Sequence, residues 1–209
     1  MALDQRLLRI AVMKQAQPVL IKQVRPFIKL DFETKKEQFM AVFDENPVTQ
    51  EIEAGPGAMS QQPELAATGG NLFSLLGFYK EQNPIAGLRE YLRDNVVLYK
   101  TRAGRMKGTQ VVFETDVLAP SEEEVNSVMA NSPDSQLEWT GRSFTELLAR
   151  GVSGMPSYLF DLTRDFSRVP SRSGPAIQTK GNLRSTQLGA IPYVRSVLST
   201  LTRIVSPRK

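Results

Sequence analysis

The sequence predicts an α+β fold: a small antiparallel sheet built on a β-hairpin at about 95–118, packed by N-terminal and C-terminal helices, with extended loops or arms. Three observations predict it. Apolar residues recur at helical spacing near both ends, as in Leu3, Leu7 and Ile10 and again in Val194, Val197, Leu198 and Leu201. Two valine-rich runs, Val96–Tyr99 and Val111–Phe113, flank a polar, Gly-containing turn at 103–108, which is hairpin patterning. A length of 209 residues suits one domain with arms, and 41% apolar with 23% charged residues is ordinary for a folded core.

Residues 3–30 read as helix, with Leu7, Leu8, Ile10, Ala11 and Val12 as a first apolar cluster and Val19, Leu20, Val24, Phe27 and Ile28 as a second. Pro18 and Pro26 fall inside this pattern and are expected to kink or divide it, because proline lacks an N–H and clashes with the preceding turn. A separate helix is expected from about Thr34 to Phe43, opened by the capping-box spacing Thr34-Lys35-Lys36-Glu37. Asn46-Pro47 reads as an N-cap with proline at the first helical position, starting a short helix through Glu53. Gly55-Pro56-Gly57 ends it, and 55–71 reads as loop. The run Leu72–Phe78 fits a buried strand or a packing segment, since periodicity does not choose between them.

Asn83-Pro84 caps a helix with Ile85, Leu88, Tyr91 and Leu92 on one side. Beyond the hairpin, Ser121-Glu122-Glu123-Glu124 is a helix start with acids at the positive end of the helix dipole. A short helix bearing Phe144, Leu147 and Leu148 stops at Gly151. Residues 164–190 are rich in Arg, Ser and Gly and read as an extended arm with one short strand at 176–179. A last helix follows Pro192 and ends at Pro207. The organisation expected is a helical region at 1–54, an α+β core at 55–163, a basic arm at 164–190 and a C-terminal helix at 191–209, within one structural domain.

Composition excludes several chemistries. The chain has no Cys, so disulfides and thiolate metal sites are ruled out. It has no His, the commonest general base and metal ligand. No apolar run reaches the ~18–20 residues of a membrane span, and Met1–Arg6 lacks the layout of a signal peptide. The expectation is a protein made and kept in a cytoplasm, without cofactor or metal, that is not an enzyme. Glu122, Glu123 and Glu124 with Asp116 read as dipole partners rather than a metal site. Glu45, Glu51 and Glu53 read as a solvated helix face rather than an acid–base pair. Thr68-Gly69-Gly70-Asn71 lacks the Lys-Ser/Thr of a phosphate loop and reads as a tight turn.

Charge is placed unevenly. Residues 1–139 carry a net −4 and residues 140–209 a net +8. Such a split suits a subunit whose ends meet different partners. Arg164, Arg168, Arg172 and Arg184, in the segment poor in acids, are candidate interface residues toward acidic neighbours or DNA. Trp139 and Tyr193, aromatics beside turns, are candidate interface anchors. No zinc finger, helix-turn-helix or RNP pattern accompanies the basic third.

The order of segments resembles the neck and tail-completion proteins of long-tailed, contractile-tailed bacteriophages. The likeness rests on the Thr68-Gly69-Gly70-Asn71-Leu72 segment after a helical N-terminal region, the hairpin, the Arg142-Ser143-Phe144 to Gly151 unit and Ile191-Pro192-Tyr193-Val194 opening the last helix. The stretches Asn46–Ile52, Gly70–Phe73 and Ser171–Gln178 are similar to virion proteins of such phages. The doubled Gly at 69–70, the two prolines in the first helix and the helix at 84–92 depart from the pattern. The resemblance implies a virion structural protein, assembled in the host cytoplasm, that closes into a ring, often six-fold, between portal and tail. Its implied partners are its own copies and neighbouring neck, tail-tube or sheath proteins, with non-specific contact to genomic DNA in the channel and no membrane. The alternatives are a nucleic-acid-binding module using the basic C-terminal third and a carboxylate-based hydrolase.

Overall fold

In a computed structural model of the chain, the described residues are 5–66, 70–107, 110–137, 140–152, 156–160, 170–171, 174–183 and 188–205. One helix of 40 residues, α1 (Gln5–Asp44), replaces the two helices and the proline breaks expected. Pro18 and Pro26 both lie within it and both are exposed. The carbonyl that Pro26 orphans belongs to Lys22, which is also exposed, so water serves it and the helix continues. Thr34 is not a cap either. Its hydroxyl donates to the Leu30 carbonyl one turn back, 2.9 Å away. Among the described side chains of α1, those of residues 15–44, only the C-terminal part enters the core, through Phe32, Phe39, Met40 and Phe43.

The caps read from the sequence set the next elements. α2 (Pro47–Glu53) opens where the Asn46 side chain accepts from the Val48 N–H at 3.0 Å. A 3-10 turn at Gly55–Gly57 and a short helix α3 (Pro63–Ala66) interrupt the loop expected at 55–71. The apolar run after it is a helix, α4 (Leu72–Leu76), and not a strand. Asn71 decides this, accepting from the Ser74 N–H at 2.8 Å while its amide donates to the carbonyls of Pro56 and Ala58. Gly77, left-handed at φ 80°, ends the helix. α5 (Pro84–Asn95) follows, capped by Asn83 and burying Ile85, Leu88 and Leu92.

The expected hairpin is present as β1 (Val97–Lys107) and β2 (Gln110–Leu118), antiparallel, with Val97 opposite Leu118 and Lys107 opposite Gln110. Its strands run through most of the stretch expected as turn, with register irregularities at 98–100 and 103–106. α6 (Glu122–Ala130) starts with a complete capping box between Ser121 and Glu124. A two-residue pair, β3 (Gln136–Leu137) with β4 (Arg142–Ser143), leads into α7 (Phe144–Arg150). α7 stops at Gly151, whose φ of 84° favours glycine and where a Cβ would stand 2.9 Å from the Leu188 carbonyl. Val152 and Leu188 exchange two backbone hydrogen bonds of 3.0 Å there.

A second sheet contains β5 (Pro156–Phe160), β6 (Pro170–Ser171) and β7 (Gly174–Leu183), antiparallel in the order β5-β7-β6. β7 is longer than the strand expected at 176–179, and it pairs back onto β5, so the boundary drawn at 163/164 falls inside this sheet. α8 (Tyr193–Val205) closes the fold against α1, burying Tyr193, Val194, Val197 and Leu201. The architecture is α+β, with the hairpin flanked by N-terminal and C-terminal helices. Its centre is aromatic: Phe78 meets Phe73 at 5.3 Å and Phe144 edge-on at 5.7 Å between ring centroids.

One core contact and one cap can be tested directly. The Thr49 and Tyr193 hydroxyls are hydrogen-bonded at 2.6 Å in a buried setting. Tyr193→Phe strands the Thr49 hydroxyl and is expected to lower unfolding free energy by about 1–3 kcal/mol in urea denaturation, with most of the loss recovered in the Tyr193→Phe/Thr49→Val double variant. The Ser121 backbone N–H and hydroxyl hold the Glu124 carboxyl below its usual range. Because the folded value is the lower one, this contribution is present at neutral pH and disappears as pH falls through the ordinary glutamate range. Amide protection in the first turn of α6, after correction for the intrinsic exchange rate at each pH, is therefore expected to fall in acid before that of the core.

Candidate assembly surfaces

Of the interface candidates, Arg164, Arg168, Arg172, Arg184 and Trp139 lie outside the described residues. Tyr193 is not at a surface. It is 2% exposed, its ring lies 6.4 Å from that of Phe43, and burial pushes its phenol well above the usual tyrosine range. The sequence shows an aromatic beside a turn, but its hydroxyl partner is 144 residues away, so the core position was not visible.

Glu45, Glu51 and Glu53 do not form the solvated helix face expected: Glu45 and Glu53 are exposed, but Glu51 is buried, and Glu51 and Glu53 hold the fold. Glu51 is 4% exposed and accepts the Leu72 N–H at 2.7 Å and the Gln61 N–H at 3.3 Å, pinning the middle of the loop and the residue that follows it to α2. Glu53 pairs at 2.8 Å with Arg89, which also bonds Asp44 at 2.8 Å and lies 5.9 Å from the Phe43 ring centroid. Desolvation works against the Arg89 charge, but the hydrogen bonds to Asp44 and Glu53 outweigh it and raise its pKa. Glu45 is exposed. Among the described residues no cluster of three acidic side chains is arranged to hold a metal, and no helix is long and apolar enough to cross a membrane.

What stands out is apolar surface on two elements that leave the core. Along α1 no residue from 15 to 31 is buried, and Val19, Phe27 and Leu30 are 58%, 73% and 68% exposed. The part from residue 5 to 31 is ~40 Å long at ~1.5 Å per residue. At 3.6 residues per turn, the side of α1 that carries Phe32, Phe39 and Phe43 carries half-buried Ile21 and Ile28 and exposed Arg25 further up, with Lys22 and Lys29 on its flank. Arg25, Lys29 and Lys36 join Phe32, Glu33 and Val96–Leu98 around a groove of about 320 Å³ at the root of the hairpin. The opposite, outer side presents Ala16, Val19, Gln23, Phe27 and Leu30, so apolar side chains lie on both sides of the helix there and those of the outer side are left in water. The hairpin adds exposed Val97, Tyr99, Val112 and Leu118.

Sequence reasoning missed this surface by cutting the helix at its prolines. The signal was there: residues 5–30 contain six Lys or Arg and no Asp or Glu. A wider groove of about 570 Å³ between α6, α7 and α8 is less promising. Its charges pair within it, Arg150 with Glu146 and Arg195 with Glu122, both at 3.0 Å. No protein-family model, curated protein or solved structure matches the chain.

Glu51→Ala would leave the backbone donors of Leu72 and Gln61 without this acceptor. The variant is expected to lose about 1–3 kcal/mol of stability and to be cut faster by protease within 55–71.

Proposed function

We propose that this chain is a virion structural protein of a phage head–tail joint, a neck, tail-completion or tail-terminator subunit that closes with its own copies into a ring, and not an enzyme. The observation that carries the assembly reading is the placement of exposed apolar side chains. Among the described residues, seven of the eleven exposed large hydrophobics lie on α1 before Phe32 or on the hairpin, outside the core that would stabilise a lone subunit. The order of segments along the chain directs that reading to the phage neck. Function would then be geometric: repeated heterologous contacts close a ring, one rim ends tail growth, and the other docks the head side. Assembly would take place in the host cytoplasm, and the mature protein would reside in the virion.

A second reading, a nucleic-acid-binding module, draws on charge: six cations without an acid at 5–30 and a net +8 at 140–209. Labelling of intact particles with antibody to this chain, or density at the joint, tests the first reading. Label at the neck is the expected result. Label on the capsid shell or the tail fibres overturns it. The second reading expects duplex DNA to be bound by the purified chain at ~0.15 M salt, with affinity falling steeply as salt rises.

A further inference from the structure

We infer that two copies of this chain pair antiparallel through the outer side of α1, with the two-fold axis passing near Gln23. The pairing goes beyond the virion reading and does not depend on it, because a two-fold contact is isologous whereas ring closure is heterologous.

The outer stripe is self-complementary in its spacing. Ala16, Val19, Gln23, Phe27 and Leu30 follow one another at steps of three, four, four and three residues, a pattern that reads the same in both directions about Gln23. Antiparallel pairing sets Ala16 against Leu30, Val19 against Phe27 and Gln23 against its copy. Each large side chain meets a smaller one, which lets two helix axes approach to the ~8–10 Å of packed helices. The two carboxamides have both donor and acceptor for each other and mark the register.

Charge agrees with this direction and not with the parallel one. The stripe contains no charged residue, and Arg25 stands on the far side of the helix with Lys22 and Lys29 on its flank. By sequence, residues 5–14 carry Arg6, Arg9 and Lys14 with no acid, a net +3. Residues 31–41 carry three acids and two lysines, a net −1. An antiparallel pair centred on Gln23 sets residues 5–15 of one copy, net +3, beside residues 31–41 of the other, net −1, twice over. A parallel pair lays +3 beside +3. The area is also adequate. A half-cylinder ~40 Å long and ~11 Å across presents roughly 700 Å² per partner, near the ~800 Å² of a standard interface.

The chain has no Cys, so single cysteines report contacts without ambiguity. In the full-length protein, Gln23→Cys is expected to form a disulfide-linked dimer on mild oxidation. Ala16→Cys alone and Leu30→Cys alone are expected to link poorly, while a mixture of the two links efficiently. Phe27→Asp, at a side chain the single chain leaves exposed, is expected to keep its far-UV circular dichroism while weakening association about 30-fold in sedimentation equilibrium. The proposal is overturned if the wild-type chain sediments as a monomer at ~50 μM, if Ala16→Cys links as fast as Gln23→Cys, or if Phe27→Asp leaves association unchanged. A monomer that co-sediments with phosphatidylglycerol vesicles through this stripe assigns the surface to lipid and overturns it as well. Six-fold particles whose Gln23→Cys variant does not link leave the ring standing and remove the pair. Efficient linking with no label at the neck does the reverse.

Discussion

The rest of the structure depends on a constraint at Phe32, the first buried residue among the described side chains of α1. A continuous α-helix has no freedom to rotate one half against the other. Once Phe32, Phe39 and Phe43 face the core, the direction of every side chain further up α1 is set by the 3.6-residue turn. Lys22, Arg25 and Lys29 then stand above the hairpin root, and Val19, Phe27 and Leu30 face outward. Had either proline broken the helix, the upper half could have turned its outer apolar side inward. Continuity of the helix is what places apolar surface in water.

That arm is only as well aimed as its base. Packing and polar contacts divide the work there. Burial of Phe39, Phe43 and Tyr193 contributes most of the stabilisation, about 1.5–3 kcal/mol for a fully buried large side chain. Arg89 joins the C-terminal end of α1, α2 and α5 through Asp44 and Glu53. Its partners are more than a third exposed, so each ion pair is worth about 1 kcal/mol or less after solvent screening. Their value is orientation. The Thr49–Tyr193 hydrogen bond adds a fixed point between α2 and α8, which holds the last helix against the first.

Local chemistry was legible wherever one residue decides an outcome. Asn46, Asn83 and Ser121 open helices as their side chains require, and Gly151 ends one where a Cβ would collide with the Leu188 carbonyl. The hairpin was legible from its valines. Readings failed where a distant partner or solvent decides. Whether Pro18 and Pro26 break a helix depends on whether water reaches the orphaned carbonyl, which is a property of the surface. Whether Leu72–Leu76 is strand or helix depended on Asn71, whose amide is held by the carbonyls of Pro56 and Ala58 across the loop. Tyr193 failed as an interface anchor for the same reason, since its partner comes from α2.

The prolines also bear on how the arm is stabilised. In a helix interior each costs about 3 kcal/mol relative to alanine, and the upper half of α1 has no buried side chain from 15 to 31 to offset that cost. Isolated helices of this kind are marginal in water, and most helical stability comes from packing of an apolar face. Ile21, Val24 and Ile28 are only half-buried, and the outer face is open to water. Anything that covers Val19, Phe27 and Leu30 therefore stabilises the helix as well as the contact, so association and the order of the arm are thermodynamically linked. Part of the gross contact energy then goes into holding the helix. An affinity lower than the footprint suggests is then expected of any such contact, with the arm firmest where a partner covers it.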